Sequence, residues 1–141
     1  MRRAIIEFRQ DDAGAWAARL SCLHGQHIRH NPPFQVAAWV LDEGARHARI
    51  GSDLECPLCD RAELPGDVEV AGQADGGATS TPAGTWGLLA VDEGTVRIAV
   101  PTAGLDVEVG PGEPQPIPPE VDYQVQPAPG ARWHIDLLRR R

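Results

Sequence analysis

Cys22, His24, His27, Cys56 and Cys59 are the side chains of this 141-residue chain whose types and spacing suit metal chemistry. Cys56-Pro57-Leu58-Cys59 lies 33 residues beyond Cys22 (56 − 22 − 1), and Cys22 opens the run Cys22-Leu23-His24-Gly25-Gln26-His27-Ile28-Arg29-His30. Two ligand clusters about 30 residues apart match a structural zinc site, in which thiolates and an imidazole close a tetrahedron. The expected set is Cys22, His24, Cys56 and Cys59, with His27 the rival to His24. Spacing alone does not choose between Cys-x-His and Cys-x4-His. His30 reads as a hydrogen-bonded histidine beside the site, and His47 as a residue on a solvated helix face. Three cysteines complete no disulfide set, so the chemistry expected of them is one structural Zn²⁺ per chain in reduced surroundings.

Two rival chemistries use the same residues. A redox pair at Cys56 and Cys59 requires a strand–helix–strand setting and a lowered thiolate pKa. A catalytic zinc requires a fourth position open to water and a nearby acid or base, for which Glu55 and Asp60 are adjacent in sequence. No catalytic constellation appears elsewhere in the chain, so the sequence reads as non-enzymatic.

Charge divides the chain unevenly. Through Pro65, nine acidic residues face eight Arg, a net of −1; from Gly66 on, eleven face five, a net of −6. Nucleic-acid binding demands clustered positive charge, so the second half is a poor candidate and the first a weak one. Arg139-Arg140-Arg141 reads as a solvated tail. The apolar run Ala4-Ile5-Ile6 is too short for a signal-peptide core or a membrane span. The expectation is a soluble, cytoplasmic protein with no membrane partner.

The elements that must position the ligands follow from local pattern. Arg3 to Arg9 reads as a strand, Gln10 to Gly14 as a turn, and Ala15 to Cys22 as a returning strand with Trp16, Ala18 and Leu20 on one face. This hairpin delivers Cys22 to its end, and Gly25 is expected to permit the tight turn after it. Asp42 is expected to cap a short helix ending at Arg49. Asp53-Leu54-Glu55 then leads into Cys56. Gly66 to Ser80 reads as a Gly-rich connection, with Val68-Glu69-Val70 an edge strand. Beyond it the pattern is all β, with strands over Thr85–Val91, Thr95–Val100, Leu105–Val109, Tyr123–Gln126 and Arg132–Leu138 between Gly and Pro turns. The prolines from Gln115 to Pro119 confine any strand there to an edge or corner.

The fold class expected is therefore mainly β. A small zinc-ribbon-like α+β module at residues 1–65 precedes a linker at 66–80 and a β-sandwich or barrel at 81–141. Each half alone has few residues for a core, so a metal or a partner surface should assist it.

Two resemblances extend this reading. Arg2-Arg3-Ala4-Ile5-Ile6, the run from Cys22 to Phe34, Trp39-Val40 and Leu54-Glu55-Cys56-Pro57-Leu58-Cys59 resemble a small bacterial domain of unknown function, sometimes labelled "pressure-regulated protein". That family usually has Gly where this chain has Leu23. Pro82 to Gly87, the strands around Asp92-Glu93-Gly94, Ile117-Pro118-Pro119-Glu120-Val121 and the closing strand resemble the cupin-like domain of tellurite-resistance methyltransferases and nitrosative-stress proteins. The second family usually has His where this chain has Tyr123, and a cupin metal centre is not expected without it. His134, the one histidine of this half, reads as a packed or exposed strand residue. Trp86 and Trp133 are expected to meet inside the barrel or to line a ligand pocket there. Together the resemblances imply a zinc-binding protein with a cupin-like domain that binds a small molecule or a partner in a stress response, with a homodimer allowed by exposed barrel edges. The alternative is a metal-dependent or redox enzyme using the zinc module or the barrel pocket.

Overall fold

In a computed structural model describing residues 1–141, strand accounts for 45% of the chain and helix for 13%, so the fold is mainly β. Every strand pair is antiparallel. Two compact units divide at the Cys56–Pro57 bond: Arg2–Cys56, and Pro57–Arg141 with Met1.

The first unit is built on a four-stranded sheet in the order β3-β2-β1-β4. Its strands are β1 (Arg2–Gln10), β2 (Trp16–Leu20), β3 (Gly25–His27) and β4 (Asp53–Glu55). Asp11 closes the β1–β2 turn, its Oδ1 accepting from the Ala13 and Ala15 amides at 2.9 Å each. Asp42 caps α1 (Glu43–Arg49) as its residue type predicts, accepting from Ala45 N at 2.7 Å. That helix buries none of its residues. It is held by side chains that cover aromatic faces, with the Arg46 guanidinium 3.7 Å from the Trp16 ring centroid and Arg49 4.3 Å from that of Trp39.

The second unit begins with α2 (Pro57–Asp60) and packs two sheets around one core. One sheet orders β5 (Val68–Gln73), β11 (Arg132–Arg140), β6 (Trp86–Glu93) and β9 (Gln115–Ile117). The other orders β10 (Gln124–Pro127), β7 (Val96–Val100) and β8 (Leu105–Val109). Alternate residues point inward, Leu89, Val91, Ile117 and Ile135 from the first sheet and Val96, Ile98, Val100 and Val109 from the second. Gly87 lets this core close: a Cβ there would lie 3.2 Å from Ile117 and 3.3 Å from Ile135. Thr81 fixes the turn at 118–121, its buried hydroxyl donating to Pro118 O at 2.6 Å and accepting from Val121 N at 3.1 Å.

Both β5 and β9 are sheet edges, as Val68–Val70 and the proline-rich 115–119 segment predict. The stretch at 66–80 carries more structure than a linker, because β5 pairs with β11 from Val68 to Gln73. The expected meeting of Trp86 and Trp133 does not occur. Trp86 pairs with Leu138 and Trp133 with Val91, so they occupy opposite ends of the β6–β11 ladder. Five residues of strand separate those ends, about 16 Å.

Candidate metal centre

β1 brings the two ligand clusters together. Its Ile5 pairs with Leu20 at the end of β2, while its Arg2 and Arg3 pair with Glu55 and Leu54 at the end of β4. Cys22 and Cys56 each follow one of these flanking strands, and both therefore emerge beside the first residues of β1.

The Cys22 turn is a three-residue hairpin loop between β2 and β3. Leu20 N donates to His24 O at 2.9 Å and Leu23 N to Leu20 O at 2.8 Å. Leu23 adopts φ 74°. A tight turn followed by one left-handed residue is the three-residue hairpin with a bulge, whose left-handed position favours Gly. The turn residue is thus Leu23, not Gly25 as expected from sequence; Gly25 already belongs to β3.

At the second cluster Pro57 opens α2, where its missing N–H costs nothing. Two bonds close the far end, Glu63 N to Leu58 O at 2.9 Å and Ala62 N to Cys59 O at 3.0 Å, with Ala62 left-handed at φ 50°. That is a Schellman motif. A single helical turn followed at once by this cap fixes the path on both sides of Cys59.

Cys22, His24, Cys56 and Cys59 are all buried, and their donor atoms lie within 4.8 Å of one another. Cys22 Sγ is 3.7 Å from Cys56 Sγ, and His24 Nδ1 is 3.4 Å from each of these sulfurs. A tetrahedral zinc with bonds of about 2.3 Å to sulfur and about 2.0 Å to nitrogen has edges of about 3.8 Å between sulfurs and about 3.5 Å from sulfur to nitrogen. The donor set therefore fits such an ion in both chemistry and spacing. A sulfur separation of 3.7 Å is far from a disulfide, and none of the three cysteines is in one. Burial disfavours a charged imidazole at His24, but its hydrogen bonds to Cys22 and Cys56 and their negative charge outweigh burial and push its pKa up to about 9.

The other histidines stand apart from this cluster. His27 pairs across the ladder with Ala17, and its Nε2 lies 3.2 Å from Asp11 Oδ2 at the surface. Three residues of strand carry it roughly 10 Å beyond His24. His30 accepts through Nδ1 from Ala37 N at 3.0 Å, and His47 is exposed on α1. His134 sits between two carboxylates, Asp92 at 3.4 Å and Asp136 at 3.5 Å. That grouping escapes sequence reading because Asp92 lies on a neighbouring strand, though the alternation of His134 and Asp136 along β11 hints at it.

Cys56 and Cys59 follow β4 and lie at the start of the short helix α2. The strand before them, β4, pairs antiparallel with β1, so no parallel strand–helix–strand unit frames the pair. No helix is long and apolar enough to cross a membrane. No curated protein matches the chain. Residues 6–63, a stretch that contains all four clustered donors, match the family described as a protein of unknown function, DUF3565.

Proposed function

We propose that Cys22, His24, Cys56 and Cys59 hold one zinc ion with a structural role, and that the β-sandwich beyond it supplies the binding function of the protein. The observation that carries the zinc reading is the donor spacing, 3.7 Å between two sulfurs and 3.4 Å from each to His24 Nδ1. Four protein donors complete a tetrahedron, which leaves no position at which to activate water. Three sulfurs and an imidazole favour zinc over the hard cations, whose preference is oxygen. A cytoplasmic setting, where thiols stay reduced, accords with three cysteines held so close together without a disulfide. The resemblance of roughly residues 79–139 to cupin-like domains supports a small-molecule or partner site in the sandwich, and is the support for a role in tellurite or nitrosative stress.

Elemental analysis of the purified full-length chain tests the metal reading. One zinc per chain, retained through dialysis and lost to a strong chelator together with the ordered signals of residues 2–56, is the expected result. Iron, copper or no metal at all would overturn it.

A further inference from the structure

A cavity of about 550 Å³ opens on the second unit, lined by Gly76, Gly77, Tyr123, Gln124, Gln126 and Trp133 among others. Its size is that of a small-molecule site. Three features say what would enter. Tyr123 is 2% exposed as a residue and lines the cavity, and its hydroxyl makes no hydrogen bond to another protein group while keeping access to the cavity. A ligand acceptor in the cavity would take the place of water on that hydroxyl. Trp133, half-buried on β11, adds an aromatic wall next to the core. β10, the third wall, is an edge strand bonded only to β7, so alternate backbone N–H and C=O groups on its free side are open to a ligand.

Charge narrows the class. No residue lining the cavity is charged. Around it, residues 57–141 carry thirteen acidic side chains against six Arg, a net of −7. An anion would enter against that field with no cation to meet it. A cation would gain from the field but find no carboxylate in the wall.

The geometry points to a binding site for an uncharged planar molecule bearing an amide- or carbonyl-type group, its ring against Trp133 and its acceptor on the Tyr123 hydroxyl. This deepens the ligand-binding part of the reading above and is independent of the zinc.

Three probes of one shape separate the possibilities: benzamide, benzoate and benzamidinium. Each is titrated into the full zinc-loaded chain, followed by amide and indole NMR signals, with zinc content measured on the same sample. The expected result is saturable millimolar binding of benzamide, with shifts confined to the Trp133 indole and the amides of 76–79 and 123–126, and weaker binding of both ions. Tyr123→Phe removes no protein hydrogen bond, so it should fold as the parent does and weaken benzamide about fivefold. Absence of localised shifts, an ion binding as well as benzamide, or unchanged affinity in Tyr123→Phe would each overturn the proposal. Because zinc content is read in parallel, these failures are distinct from failure of the metal reading.

Discussion

Cys56→Ser tests the candidate metal centre by removing one of its four donors. The Cys56 sulfur lies 3.7 Å from Cys22 Sγ and 3.4 Å from His24 Nδ1, and its loss removes one of four clustered donors and leaves three. Structural zinc in small sites contributes about 10–16 kcal/mol of folding free energy. Within Arg2–Cys56 the large, fully buried apolar side chains are Ile5, Leu20 and Val40. Each contributes about 1.5–3 kcal/mol by burial, so all three together supply less than the metal. The first unit should therefore lose its fold in Cys56→Ser, while the second keeps its own core of Val96, Ile98, Val100 and Val109. Amide NMR of the full chain reads both at once. Signals from 2–56 should collapse to unfolded positions, those of β7 and β8 should stay dispersed, and zinc should fall well below one per chain. A variant that keeps its zinc and its first-unit signals would refute the reasoning.

Three further outcomes follow from local geometry. Leu23→Gly should destabilise the chain by about 1 kcal/mol in a chelator-free melt with zinc content kept, because losing a buried Leu (about 1.5–3 kcal/mol) outweighs relief of about 1–2 kcal/mol of left-handed strain. A rise in melting temperature would show that strain dominates. The Asp11 carboxyl is held below its usual range by the Ala15 amide first, and by His27 and the Ala13 amide. A lowered folded-state pKa stabilises above the ordinary value near 4 and is lost as pH falls through the folded value. Asp11→Asn should therefore flatten the acid limb of the stability curve below pH 4 and leave the neutral plateau's shape unchanged. Asp42→Ala should cost the α1 cap about 1 kcal/mol. With no α1 residue buried, the loss should appear as faster hydrogen exchange at Ala45 and Arg46, not as global unfolding.

Much of this was legible in the chain because the signals were local. Alternation placed β7 and β8 to within a residue, and Asp42 announced its helix by residue type. Prolines at 116, 118 and 119 marked an edge, since a strand that cannot donate belongs there. The donor set was legible up to one ambiguity, His24 against His27. That choice depends on where the β2–β3 hairpin turns, and the turn uses a Leu in a conformation that composition assigns to Gly. Hence the misplacement of the turn at Gly25. Register was the other hidden quantity. Trp86 and Trp133 both sit on strands that pair, but only the ladder fixes which residues face each other, and it sets them five residues apart.

The two left-handed residues beside the donors bear on what holds this module. Leu23 adjoins Cys22, and Ala62 lies three residues after Cys59; each adopts a positive φ that costs an L-residue about 1–2 kcal/mol. Such strain persists only where the surroundings over-determine it. The buried apolar side chains of the first unit are few, and the hairpin loop and the helical turn are short. A zinc ion held by four donors, as proposed, would contribute about 10 kcal/mol at this place, enough to hold both turns. On the zinc reading proposed above, the two turns are shaped around the ion. Substituting either left-handed residue should therefore lower the melting temperature less in the zinc-loaded chain than in the chelator-treated one.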